Sequence, residues 1–357
     1  MMPSRLPLSL RIQLEMHRSL FDRDVAGHPL RQLFWECTLR CNLRCRHCGS
    51  DCKAQAEGRD MPLEDFTMVL DSISAHTDPH KVNVIITGGE PLMRPDLEKC
   101  GREIYRKGFP WGMVTNGYAL TRERFQRLRE SGLHAITVSL DGLEESHDWI
   151  RGREGSWSRA SDAIRMIAES GIISDVVTCV NARNIGQLDA MKEHLISLGM
   201  KNWRIFTVFP QGRAKDDPEM KLSGVQIRQI MDFIVATRKE GRIACSFACE
   251  GFLGSYEGRV RDNYFSCIAG VNIASVLADG SISACASIRS DYHQGNIYKD
   301  DFWTAWTERF GPYRDRSWMK KDECAGCRHF RYCRGNGMHL RDGDGKLIQC
   351  LLGKMEA

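Results

Sequence analysis

VNVIITGGEPLMRPDLEKCGREIYRKGFPWGMVTNG, residues 82–117, sets the architecture of this chain. It opens with an apolar run (82–89) that ends on paired glycines, which reads as a strand and its turn. Residues 96–108 place apolar side chains at helical intervals and stop at Gly108. Residues 111–117 are a second apolar run, ending at Asn116–Gly117. Strand, helix and strand in so short a span make a parallel crossover unit.

The alternation continues on both sides. Strands are expected at 33–38, 135–142, 174–181 and 202–210, and helices at 63–76, 122–132, 159–171, 185–199 and 225–241. Near-continuous apolar strands between amphipathic helices imply an α/β chain whose parallel sheet is covered by helices. Six such units are too few for a closed eight-fold barrel, so an open, partial (β/α)6 barrel is expected. Ligands of such sheets gather at the carboxyl ends of the strands. Four stretches fall there: the cysteine-rich 37–52, TGGEP (87–91), TNG (115–117) and SLDG (139–142). After about residue 242 the helices shorten, and VLADGSISAC (276–285) reads as a hairpin turning at Asp279–Gly280. The expected organisation is an N-terminal extension (1–30) with one helix over 10–22, the partial barrel (31–242), and a smaller cysteine-rich domain with its linker (243–357).

The chain has 357 residues, 42% hydrophobic and 27% charged, as in a globular protein. Its 50 basic and 46 acidic residues leave a net charge of +4, too balanced for a nucleic-acid binder. It lacks a run of about 18 apolar residues, so no membrane span is expected. Arg5 and Arg11 break the apolar N-terminus before a signal-peptide core can form, so a cytoplasmic location is expected. Disulfides are rare there. Yet the chain carries 15 cysteines, and they cluster at 37–52, 245–285 and 324–350. Metal or cluster ligation explains that distribution better than disulfides do.

In CTLRCNLRCRHCGSDC (37–52), Cys41, Cys45 and Cys48 form C-x3-C-x2-C. Three thiolates in one loop can hold three irons of a cubane and leave the fourth iron open to a small molecule. The competing reading is a zinc site, which wants four ligands; Cys37, Cys52 or His47 could complete it. Cys37 itself is expected as a packed thiol in the first strand, and Cys100 and Cys179 as small core residues.

CNLRCRHC resembles the signature of the radical S-adenosylmethionine (SAM) enzymes, whose fourth iron chelates SAM. TGGEP is similar to that family's glycine-rich turn. The resemblance implies a SAM-binding [4Fe–4S] cluster on Cys41, Cys45 and Cys48. It also implies that Gly88, Gly89 and Glu90 hold the methionine amino group, the glycines by close backbone approach to the ligand. Asn116 in TNG would line the SAM pocket, and Ser139 and Asp141 would face the ribose or carboxylate. Asn181 and Phe206 to Val208 would lie near ribose and adenine, with Arg151 and Arg153 as carboxylate partners. The implied reaction is reductive cleavage of SAM to a 5′-deoxyadenosyl radical, which takes hydrogen from a substrate. An external electron donor is implied with it.

The C-terminal cysteines resemble the SPASM domain, which holds auxiliary iron–sulfur clusters. Cys267, Gly280 and Cys285 match its C-x12-G-x4-C element, and Cys324-x2-Cys327-x5-Cys333 with Cys350 match the rest. A zinc ribbon is the alternative. One auxiliary [4Fe–4S] cluster is expected on Cys324, Cys327, Cys333 and Cys350. The other would use Cys267 and Cys285 plus a cysteine that this chain replaces with Gly337. Cys249 or Cys245 could substitute there; otherwise the site is empty, purely structural, or a cluster with an open iron. Ala286 stands where sulfatase-maturing members carry an aspartate, which disfavours formylglycine formation.

The reading that follows is an enzyme acting on a peptide or protein substrate. The CRGNGMHL stretch (333–340) resembles members associated with lipoproteins, which makes a lipoprotein precursor one candidate. A small-molecule or cofactor precursor is the alternative substrate. The rival from another class is a non-catalytic iron–sulfur electron carrier or binding protein. A site built to leave one iron open, together with TGGEP, argues against that rival.

Overall fold

The computed structural model describes residues 6–50, 52 and 60–357. Arg5 lies outside the described residues. Helix α1 (Leu8–Gly27) leads into strand β1 (Gln32–Glu36). Then follow α2 (Leu63–Ser74), β2 (Asn83–Thr87), α3 (Leu97–Arg106), β3 (Trp111–Thr115), α4 (Arg122–Glu130) and β4 (Leu133–Ser139). After α5 (Glu144–Arg151) and α6 (Ser156–Ser170) come β5 (Ile173–Val180), α7 (Leu188–Ser197), β6 (Asn202–Thr207) and α8 (Gly224–Glu240). All six expected strands are present, and β1 to β6 lie side by side in sequence order, each parallel to the next.

Strand alternation explains why these segments read as continuously apolar. One face of each strand is fully buried under the helices, with Trp35, Ile86, Val138, Val176 and Trp203 among its residues. Trp35, for example, stacks on Phe66 of α2 at 4.2 Å between ring centres. The other face (Phe34, Ile85, Val114, Thr137, Val177, Phe206) lines a cavity inside the curved sheet. Helix signals sit where the sequence puts them. Pro62 precedes α2, with Glu64 and Asp65 in its first turn, and Ser223 and Gln226 form a capping box on α8.

The sheet reaches further than the sequence indicates. Strand β7 (Ala244–Phe247) adds parallel to β6. At the opposite edge β8 (Ile273–Val276) adds parallel to β1 and turns back as β9 (Ile282–Ser283). The turn is the expected one: Gly280 has φ 85° and Ser281 N–H donates to Asp279 Oδ1 at 2.9 Å. The hairpin therefore continues the barrel sheet instead of forming a separate one, and it carries Cys285 to the barrel mouth. Short helices α9 (Phe302–Glu308), α10 (Gly311–Arg314), α11 (Phe330–Cys333) and α12 (Leu351–Glu356) complete the chain.

Helix α1 is longer than the 10–22 expected and ties the N-terminal segment to the C-terminal region. Leu10 and Leu14 pack with Phe252 and Phe265, and Glu15 pairs with Arg331.

Candidate active site

Beyond β1 the chain passes the fully buried Cys37, a packed thiol as expected, and enters the cysteine loop. Cys41 and Cys45 are buried with Leu43 and Cys52, flanked by Leu39, Cys48 and Tyr118. The loop is held from two sides. From the end of α5, Arg151 O and Ile150 O accept the N–H groups of Arg44 (3.2 Å) and Arg46 (2.7 Å). Arg153 donates to Asn42 O at 2.8 Å and lies 4.0 Å over the Tyr118 ring, so it braces the loop. From the TGGEP turn, Gly89 N–H donates to Thr38 O at 2.7 Å and Glu90 N–H to Arg40 O at 2.9 Å. A Cβ on Gly88 would overlap the Thr38 carbonyl oxygen, and one on Gly89 would overlap that of Arg40. The glycines are thus required by close approach to the cysteine loop.

Donors point at the loop's sulfurs. Leu43 N–H lies 3.5 Å from Cys41 Sγ, Asn116 Nδ2 lies 4.0 Å from it, and Arg151 Nη1 lies 3.8 Å from Cys45 Sγ. The Cys52 thiol hydrogen-bonds Cys48, which pulls Cys48 down and pushes Cys52 up; the Arg213 guanidinium also lowers Cys48. Burial pushes Cys41 up to about 12 and Cys45 up as well, and these donors work against it, favouring the negative sulfur that ligates iron. Among the described residues, no three His, Cys, Asp or Glu side chains converge as ligands of one ion, which a zinc site would require. A cubane instead spreads its thiols over its corners.

Glu90 is buried and faces inward. Its carboxylate accepts Thr115 Oγ1–H (2.7 Å), Leu92 N–H (3.1 Å) and Asn116 N–H (2.8 Å), joining the TGGEP and TNG turns. Burial pushes its pKa up against these hydrogen bonds. Asn116 reaches the cysteine loop at Asn42 Oδ1 (2.8 Å).

Asp141 is fully buried beneath the loop. It meets Arg151 Nη2 at 2.6 Å and His47 Nε2 at 3.6 Å, and accepts Cys179 N–H at 2.7 Å. Burial raises its pKa, but the Arg151 guanidinium outweighs that and holds it low. Asp141 therefore anchors Arg151 and His47. Burial holds the His47 imidazole down at about 4. Ser139 is half-buried at the end of β4. Asn181 is fully buried, and its Nδ2 has no hydrogen-bond partner.

These elements surround a cavity of about 470 Å³. Its walls include His47, Gly49 and Ser50 from the cysteine loop, the inner strand faces, Phe206 to Phe209, and Cys285 to Ser287 with Arg289 from the C-terminal region. Cys100 is a core residue as expected, but Cys179 lines this cavity, because its place on β5 puts it on the inner face. Both lining arginines are paired: Arg289 with Glu36 at 2.9 Å, and Arg204 with Asp175.

The C-terminal thiols form two groups. Cys324, Cys327, Cys333 and Cys350 influence one another electrostatically. Arg341 Nη2 lies 3.4 Å from Cys324 Sγ and Gly353 N–H 3.3 Å from Cys350 Sγ. In the other group, burial first and then Cys285 and Cys267 push the Cys249 thiol up to about 12. Cys245 points into the core beneath α8, where its charged neighbours are Arg238 and Lys192, and belongs to neither group. His339 carries no motif that would single it out. It is buried, with Nε2 unpartnered and its ring 4.4 Å from that of Phe209.

Residues 35–195 match the family described as the radical SAM superfamily, and residues 267–328 match SPASM, described as an iron–sulfur cluster-binding domain. The chain is 27% identical over 332 residues to the AdoMet-dependent heme synthase of Methanosarcina barkeri, which covers 85% of this chain and 92% of that protein. It is 29% identical over 313 residues to the mycofactocin maturase MftC of Mycolicibacterium smegmatis, covering 86% of this chain and 77% of that one. Among solved structures, anSMEcpe with bound AdoMet and the Cp18Cys peptide has a TM-score of 0.71 at 18% identity, over 92% of this chain and 95% of that one. That likeness carries the fold. No helix among the described residues is long and apolar enough to cross a membrane. The cofactors that go with the two matched families are a [4Fe–4S] cluster with S-adenosylmethionine, and auxiliary iron–sulfur clusters. The chain belongs to the radical SAM superfamily and carries a C-terminal SPASM domain; it is a radical SAM enzyme.

Proposed function

We propose that this enzyme abstracts hydrogen from a side chain of a peptide or protein substrate presented at the barrel mouth. The observation that carries the reading is the cavity. Its wall is mostly apolar, built from the inner strand faces and Phe206 to Phe209, and suits an amino-acid side chain. A tetrapyrrole carboxylate, the substrate class suggested by the heme synthase relative, would also need cations. Both arginines in the wall are already paired with carboxylates. Nothing in the cavity favours a lipoprotein precursor over other peptides.

The residues fit the cofactors. Cys41, Cys45 and Cys48 would hold the SAM-binding cluster, with N–H donors already aimed at the first two sulfurs. Cys324, Cys327, Cys333 and Cys350 would hold one auxiliary cluster, and Cys267 and Cys285, with Cys249, the other. When bound, the SAM-binding cluster and SAM supply the 5′-deoxyadenosyl radical. The chain's own residues position and enclose. Glu90 fixes the TGGEP turn against TNG, and Gly89 and Glu90 N–H hold it against the cysteine loop. Asp141 holds Arg151 beside Cys45. Asn181 keeps a buried donor free for a ligand, an arrangement that costs free energy unless the donor is used. The apolar inner strand faces exclude water. An external electron donor is required, and the cytoplasm suits the 15 free cysteines.

The test compares two probes on the reconstituted enzyme: peptides encoded beside the gene, deuterated at side chains, and an iron-bound tetracarboxylate porphyrin. Deuterium transfer from peptide to 5′-deoxyadenosine supports the proposal. Porphyrin binding seen in its Soret band, with porphyrin-dependent 5′-deoxyadenosine formation, would move the enzyme to a cofactor-precursor substrate.

A further inference from the structure

We infer that His339 is the fourth ligand of the auxiliary cluster held by Cys249, Cys267 and Cys285, replacing the cysteine that Gly337 displaces. The inference rests on the reading that these three thiols hold a cluster. The SPASM pattern puts a cysteine at 337, and this chain has glycine. The place of that side chain is not empty. A Cβ built on Gly337 would lie 2.6 Å from His339 Cε1, 3.0 Å from Nδ1 and 3.4 Å from Nε2. The imidazole occupies the volume that a cysteine at 337 would need. Glycine at 337 and histidine at 339 are therefore one exchange: the ring fits only because Gly337 has no side chain.

The ring also has what a ligand requires. His339 is 5% exposed, and Nε2 has no partner. An unpaired imidazole nitrogen at that depth costs free energy unless something binds it. Its surroundings come from the same segments as the three thiols. Met338 N–H, one residue away, donates to the Cys267 sulfur. Arg316 ties two segments of this site together, donating to Cys267 O at 2.8 Å and Asn336 O at 3.4 Å. The segment after Cys249 abuts the same place, since a Cβ on Gly251 would overlap Asn336 Oδ1. Cys249, Cys267 and Cys285 thus neighbour one another, and the chain beside Cys249 and Cys267 meets the 336–338 segment that leads into His339. Imidazole nitrogen is an established replacement for thiolate on iron–sulfur clusters, and it raises the reduction potential. The plain alternative is that His339, tilted against Phe209, only packs behind the cavity wall to which Phe209 belongs.

The test is electron spin-echo spectroscopy of the reduced enzyme without SAM, labelled with 15N-histidine, beside His339→Ala and the double variant Gly337→Cys/His339→Ala. The expected result is a 15N coupling in the wild type that both variants lose. The double variant should keep the wild-type iron content through its restored cysteine. Absence of the coupling in the wild type, or its survival in His339→Ala, would overturn the role of His339. The iron count separates the two claims. If Cys267→Ala/Cys285→Ala leaves the iron content unchanged, the three-thiol site itself fails. If that variant loses about four irons while no histidine coupling exists, only His339 is excluded.

Discussion

Arg151 pairs with Asp141 at 2.6 Å and at the same time turns Nη1 toward Cys45 Sγ at 3.8 Å. Both side chains are buried, so the carboxylate keeps a guanidinium charge beside a cluster thiol in a site with almost no solvent. Asp141→Asn would leave that charge uncompensated. We expect a loss of about 3–5 kcal/mol in the stability of the metal-free protein, read from denaturant unfolding. An unchanged midpoint would show that the pair is dispensable.

The two glycines of TGGEP are predicted to act through the cysteine loop. Gly89→Ala would drive a methyl group into the Arg40 carbonyl, at a cost of about 1–3 kcal/mol from overpacking. The loop should shift with it, so the iron content after reconstitution should fall along with stability. Normal iron content with weakened SAM binding would instead place the glycine at the ligand.

Glu90→Gln tests the joint between two turns. The carboxylate accepts from Leu92, Thr115 and Asn116, and an amide would turn a donor toward one of these donors. The expected cost is about 1–3 kcal/mol, with weaker SAM binding by calorimetry and full iron content. Unchanged affinity would remove Glu90 from any part in the SAM site.

Cys245 and Cys249 lie four positions apart and should behave differently. Cys249→Ser should lose about four irons, one cubane. Cys245→Ser should keep them all and lose about 1–3 kcal/mol, because it buries a hydroxyl in an apolar core. Equal iron loss in both would mean that the segment reorganises around the cluster.

Much of this was legible in the sequence for a physical reason. The barrel strands are buried on one face and line a mostly apolar cavity on the other, so VNVIITGG and AITVSLDG read as apolar runs. Spacing alone picked out Cys41, Cys45 and Cys48. Other features depend on partners distant in the chain. Strand β8 pairs with β1 across more than half the chain, and ACSF (244–247) is too short to announce a seventh parallel strand. Helix α5, EESHDWIR, is brief and polar, and its use appears only where Ile150 and Arg151 meet the cysteine loop. Cys179 reads as a core thiol until strand register shows which face it takes. His339 carries no local signal, because its meaning lies in the space above Gly337.

The central claim is that Cys41, Cys45 and Cys48 hold the cluster that cleaves SAM. The most direct test is iron content and 5′-deoxyadenosine formation after anaerobic reconstitution, wild type beside the Cys41→Ala/Cys45→Ala/Cys48→Ala variant. We predict about twelve irons in the wild type, about four fewer in the variant, and no 5′-deoxyadenosine from the variant. Equal iron content, or SAM cleavage retained by the variant, would contradict the account.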